Sequence, residues 1–124
     1  MREYAVLPIG THNATAYKNG IIYNDTRSNR VVIANRKNQI EKSFLVPEYA
    51  DLPKSSSDMD YARQQFGRGL CTFADRFIIA GSSPSTISVY DTISGEKVRM
   101  VTISKDIRNC IHGLELWPDT KWVA

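Results

Sequence analysis

The feature that most constrains the fold of this chain is an internal repeat. Sliding the sequence along itself by 56 residues lays Tyr17-Lys18-Asn19-Gly20-Ile21-Ile22 over Phe73-Ala74-Asp75-Arg76-Phe77-Ile78. The same shift lays Val31-Val32-Ile33-Ala34-Asn35 over Ile87-Ser88-Val89-Tyr90-Asp91, and Phe44 over Met100. A further step of 44 puts His112-Gly113-Leu114 over Arg68-Gly69-Leu70, which itself lies over His12-Asn13-Ala14. The longer first step is accounted for by a Pro-, Ser- and Asp-rich insertion that begins PEYADLPKSSSDMD.

Each unit reads as four short strands. In residues 12–46 the strands HNATAYK, IIYNDT, RVVIA and QIEKSFLV are separated by Asn19-Gly20, by Arg27-Ser28-Asn29 and by a turn through residues 35–38. Asn-Gly is a strong hairpin signal, because a type I′ turn needs positive φ at both central residues. In the last strand Ile40, Phe44 and Val46 share a face with Lys42. In residues 68–103 the strands GLCTF, RFIIAG, TISVYD and KVRMVTI are joined through Ala74-Asp75, residues 82–85 and Ser94-Gly95. CIHGLELW, residues 110–117, opens a third unit, with Pro118-Asp119 as its first turn. Ahead of the repeats, EYAVLPI reads as an isolated strand whose Pro8 suits a sheet edge. In the insertion, residues 47–67, Asp58 or Asp60 could cap a short helix through DYARQQF.

A unit of ~44 residues with four strands has the size of a β-propeller blade. The runs IIY, VVIA and FIIA are apolar on both faces, as blades sandwiched between neighbours require. The expectation is an all-β chain, residues 1–124 as one β-repeat domain. It holds about two antiparallel four-stranded blades plus flanking strands, either a fragment of a longer ring or a chain that self-associates to complete one. The alternative architecture is a β-sandwich of about nine strands.

Residues 66–98 followed by IRNCIHGLELWP resemble bacterial propeller proteins of uncharacterised function, broadly similar to the NHL and WD40-like groups. Val89-Tyr90-Asp91 stands where WD40 repeats carry Trp-Asp, and no Gly-His pair opens the blade. The resemblance implies a fold and carries no catalytic residues with it.

Bulk properties narrow the function classes. No apolar run approaches the ~20 residues of a membrane span, and the apolar stretch at the N-terminus is too short for a secretory signal. A cytoplasmic location without membrane partners is therefore expected. The net charge of +3 is scattered rather than blocked, so a solvated exterior is favoured over a nucleic-acid surface. Cys71 and Cys110 lack CxxC spacing and read as buried free thiols, with a disulfide between neighbouring units as the alternative. Ser82–Ser85 forms no G-x-S-x-G elbow, and no Ser–His–Asp arrangement, metal-ligand set or cofactor motif is present.

Candidate binding residues follow from the repeat. His12, Arg68 and His112 occupy equivalent positions at the start of each unit's first strand, which in a propeller lines the channel mouth. Two imidazoles and a guanidinium suit a small anion such as a phosphate, carboxylate or acidic sugar. Asp25 at the rim of the first unit and Glu115 in the third complete the candidate set, with Arg68 or His12 as the expected partner of Glu115. The expected function is a binding or scaffold module for a small anionic ligand or a protein partner. The alternative is a propeller enzyme of the lactonase or lyase kind.

Overall fold

The computed structural model describes residues 5–56 and 59–117, with the backbone alone at 56 and 59–62. The chain is all-β. Strands β1 (Thr11–Tyr17), β2 (Gly20–Asp25), β3 (Arg30–Ala34) and β4 (Ile40–Leu45) form one antiparallel sheet in chain order. Strands β5 (Ser55–Ser56) and β6 (Met59–Arg63) pair as a small ribbon. Strands β7 (Leu70–Phe73), β8 (Phe77–Ser82), β9 (Thr86–Asp91) and β10 (Glu96–Thr102) form a second four-stranded meander. The strands expected of the two units are thus present, each hairpin linking neighbours in the sheet.

The first hairpin differs in detail from the Asn-Gly expectation. Tyr17 pairs with Gly20, so Lys18 and Asn19 occupy the turn and Lys18 takes the positive φ, 51°. Gly20 serves a different purpose: a Cβ there would strike the Ala34 carbonyl oxygen. The second unit's hairpin pairs Phe73 with Phe77 and is one residue longer.

That single residue moves the correspondence between the units. The pairs Ile22–Ile33 and Val31–Phe44 of the first sheet match Ile79–Val89 and Ile87–Val101 of the second. The counterpart of Ile22 is therefore Ile79, not Ile78, and that of Phe44 is Val101, not Met100. Because side chains alternate across a strand, a one-residue slip exchanges the two faces.

The sheets pack through Tyr17, Ile22, Val31, Phe44 and Val46 of the first unit against Ile78, Ala80 and Tyr90 of the second. Phe44 and Tyr90 lie 4.8 Å apart between ring centroids. The repeat counterparts of Ile78, Ala80 and Tyr90 are Ile21, Tyr23 and Ala34, which lie on the opposite face of the first sheet. There they form a second cluster, covered by Ala5 and Leu7. The two sheets thus meet through inequivalent faces.

Two expectations are corrected. The described part of EYAVLPI is not a strand: residues 5–8 pair with no sheet, and Val6 N donates to Asn38 Oδ1 at 3.0 Å. Pro8 lacks an N–H and accepts both the backbone and hydroxyl hydrogens of Thr11 in a turn, which ends any ladder. The insertion forms β5 and β6 in place of a helix. Gln64, 3% exposed, clamps it by accepting from Tyr49 N at 2.7 Å and donating toward the Tyr49, Leu52 and Pro53 carbonyls. Asp58 and Pro118-Asp119 lie outside the described residues.

At the far end of the second sheet, Arg76 grips the buried Asp91 with two hydrogen bonds, Nε to Oδ1 at 3.0 Å and Nη2 to Oδ2 at 2.7 Å. This pairing holds the Asp91 carboxyl well below the usual carboxylate range. The unfolded carboxyl titrates near ~3.9, so below that pH the unfolded chain binds a proton that the folded chain resists. The stabilisation is therefore present above about pH 4 and is lost as pH falls. Asp91→Asn should flatten the fall in stability on acidification, read from urea unfolding at successive pH values; an unchanged slope would contradict the pairing.

Ile22 is fully buried between the sheets. Ile22→Ala should cost about 2–5 kcal/mol, the range for a truncated core aliphatic. A chemical-denaturation midpoint close to the parent's would mean that the sheets do not share a core.

Candidate functional site

The starts of β1, β7 and the segment 110–117 lie side by side. Asn13 Oδ1 accepts from Gly69 N at 2.8 Å and from Asn24 Nδ2 at 3.3 Å. Asn24 is fully buried and its Nδ2 also reaches the Gly69 carbonyl, while its Oδ1 has no partner among the described residues. The next junction repeats this geometry with smaller residues. A Cβ on Gly69 would lie 3.1 Å from the Gly113 backbone, and one on Gly81 would collide with Ile111. Gly81 is the counterpart of Asn24, so the second unit exchanges a bridging amide for space that Ile111 fills.

This stacking brings the three repeat-equivalent residues to one end of the molecule. His12 is half-buried, and its Nδ1 lies 2.9 Å from Thr26 Oγ1. The Thr26 hydroxyl spends its one hydrogen on the Gly67 carbonyl at 3.0 Å. His12 Nδ1 must therefore carry the proton and donate, leaving Nε2 outward. Arg68 Nη1 lies 3.2 Å from His112 Nδ1. A guanidinium only donates, so His112 Nδ1 accepts and its Nε2, 3.5 Å from Cys110 Sγ, is the protonated nitrogen of the neutral ring.

Phe66, which the sequence reading did not single out, joins the set. Its ring lies 5.5 Å from that of His12, tilted by 53°. The guanidinium carbons of Arg63 and Arg68 lie 5.3 Å and 5.6 Å from its centroid. Such cation–π contacts are worth roughly 0.5–1 kcal/mol at partly exposed sites. Arg63 is otherwise consumed: it donates to Asn29 Oδ1 at 2.7 Å, the Gln64 carbonyl at 2.9 Å and the Thr26 carbonyl at 2.5 Å. Burial pulls its pKa below the usual guanidinium value. Arg68 makes one side-chain hydrogen bond among the described residues, to His112. The signal for this cluster was an aromatic between two arginines, Arg63 and Arg68, in a stretch whose apolar spacing suggested a short helix rather than a site.

The two candidate carboxylates do not join the group. Asp25 pairs with Thr11 and Arg30 at the same end of the sheet. Strand alternation places it with Tyr23 on the opposite face from Asn24, and burial followed by the Asp25 charge raises the Tyr23 pKa. Glu115 is exposed and acts on Cys71, whose pKa is raised first by burial and then by that charge. Its expected partners Arg68 and His12 are not among its contacts. Both cysteines are free and half-buried rather than buried. Residues 110–117 form no strand, since no described segment supplies a ladder for them.

Among the described residues no three His, Cys, Asp or Glu side chains converge as a metal site, and no helix is long and apolar enough to cross a membrane. No protein-family model matches this chain, and no curated protein or solved structure matches it either.

The two imidazoles are predicted to hold opposite tautomers at about pH 8.5, well above the ordinary imidazole range. Long-range ¹⁵N–¹H correlation should find the proton on Nδ1 of His12 and on Nε2 of His112, with Arg68→Ala releasing the preference at His112 alone. The reverse assignment at either ring would break the hydrogen-bond chain described.

Proposed function

We propose that the chain is a binding module of β-propeller type, akin to the bacterial NHL and WD40-like proteins, which takes a small phosphate-like anion at the shared end of its first strands. The observation that carries this reading is the Arg68 guanidinium. It is held against Phe66 and His112, with the donors not engaged by His112 directed to no other described side chain. A hydrogen phosphate matches the neighbourhood on both counts. It can accept from Arg68, and it carries an O–H that can donate to the outward Nε2 of His12. Arg63 lies beside the same ring and adds positive potential without needing to be a ligand, because backbone carbonyls and Asn29 fix it in place.

The propeller assignment draws support from the stacking. Equivalent sheets that meet through inequivalent faces are related head to tail, and such contacts propagate rather than closing on a pair. The segment 110–114 lies on the second sheet as the start of β7 lies on the first, which extends the same relation by one step. A sandwich whose halves were related by a two-fold would bury matching faces.

Inorganic phosphate is the probe. Imidazole resonances of His12 and His112 should shift saturably on titration. Arg68→Ala should weaken binding about tenfold or more, as expected for loss of a charge-assisted contact of roughly 1.5–3 kcal/mol. The combined His12→Ala, Arg68→Ala, His112→Ala variant should not bind. That variant has no histidine left, so its titration is followed by the backbone amide shifts of residues 66–69; undiminished saturation there, with its circular dichroism unchanged, would sink the site.

A further inference from the structure

The geometry points to the outer face of the second sheet as a docking surface for a second copy of this chain, which seats the far face of its own first sheet there, head to tail. That outer face is an open groove of about 500 Å³ lined by Phe73, Phe77, Ile79, Val89, Val98 and Arg99. Its residues are the repeat counterparts of the surface by which the first sheet receives the second. Tyr17 and Phe44 are 6% and 5% exposed in the built junction, whereas their counterparts Phe73 and Val101 are 51% and 53% exposed. One junction is filled; at its equivalent residues 110–114 hold the edge beside Gly69 and Gly81, and the rest is open.

The built junction also specifies what would fill it. The face received there is Ile78, Ala80 and Tyr90. The chain carries one further face of that kind among the described residues, Ile21, Tyr23 and Ala34, the repeat counterparts of those three. It is buried, and the described hydrophobics packed on it are Ala5 and Leu7, on a segment that joins no ladder. Displacing that segment would free a face matched to the groove. The cation of the built junction has its equivalent as well. Lys42 pairs with Ile33 as Arg99 pairs with Val89, and across the built junction Lys42 Nζ donates to the Thr92 carbonyl at 2.6 Å. Arg99 is the equivalent cation, and the turn after β3, equivalent in the repeat to the region of Thr92, is the feature of an incoming first sheet that it would meet.

This interface rests on the same repeat as the propeller reading but not on the anion site. A chain that stays monomeric would overturn the interface and leave the phosphate titration untouched. Sedimentation velocity of the full chain over a wide concentration range is the test, with concentration-dependent self-association expected. Phe73→Glu and Val101→Glu, both at exposed positions, should each weaken it about tenfold or more. Arg99→Ala, which removes the donor to a carbonyl of the incoming turn, should weaken it too, and serves if the apolar variants fail to fold. Leu7→Asp, which loosens the cover of the donor face, should strengthen it. A monomer at every concentration, or association indifferent to the groove variants, would refute the interface. Association that the groove variants abolish but Leu7→Asp leaves unchanged would mean a symmetric face-to-face dimer, and would refute the head-to-tail arrangement.

Discussion

Phe44 against Tyr90, with Ile22, Val31 and Ile78 fully buried beside them, fixes how the two sheets lie on each other, and most of the molecule follows from that contact. Each sheet alone is a four-stranded meander with apolar side chains on both faces, and neither could leave both faces in water without exposing large aliphatic area, at a cost of about 25 cal/mol per Å². Tyr90 shows how dry the junction is: burial pushes its hydroxyl up to about 12. Stacking the sheets in the same strand order sets β1 beside β7 running the same way, since Asn13 meets Gly69 at one end and Tyr17 Oη reaches the Asp75 carbonyl at the other. Only with that parallel alignment do His12, Arg68 and His112 arrive at one end of the molecule. The alignment of these three residues is thus a consequence of core packing.

The apolar core loosely defines spacing, and the polar join at the strand starts sharpens it. Asn24, buried and bridging Asn13 to Gly69, fixes the offset between β1 and β7 by directional bonds where aliphatic contacts would tolerate sliding. Its unmatched Oδ1 is the cost of placing an amide in so confined a spot. At the next junction glycines at 69 and 81 make the offset by close approach instead. Two chemically different solutions hold equivalent positions, and for that reason the repeat is visible in strand pattern and turn spacing rather than in residue identity.

The strand pattern was legible in the sequence because hydrophobic alternation and turn residues act locally. All eight strands of the two sheets fall where β-branched and aromatic residues cluster between Gly, Asn, Asp and Ser. The register between units was not. An ungapped shift sets Ile22 over Ile78, but the extra residue in the β7–β8 turn makes Ile79 the true counterpart. With a period of two, that slip reverses which face is inside. The insertion was illegible for another reason. Its order comes from Gln64 and Gln65, whose amides satisfy carbonyls distant in sequence, and no local propensity encodes such bonds. Phe66 was missed with it. Strand alternation sets Asp25 on the opposite face from Asn24, and among the described residues Glu115 makes no hydrogen bond or ion pair with Arg68 or His12.

Arg63 and Arg68 show how two cations beside one ring can differ in what holds them. Both guanidiniums lie beside Phe66 at nearly equal distance, and by sequence neither outranks the other. Arg63 has its donors committed to the Thr26 and Gln64 carbonyls and to Asn29, so it ties the insertion to the first unit. That tie carries Phe66 into position over His12. Arg68, whose backbone N–H is anchored to the Gly81 carbonyl at 2.9 Å, then projects from a fixed backbone onto a ring that Arg63 has already placed. Its side chain therefore has a defined direction while spending one hydrogen bond, to His112, among the described residues. A guanidinium pre-organised in this way loses little conformational freedom on meeting an anion. The insertion thus supplies the support that the proposed anion site needs at Arg68.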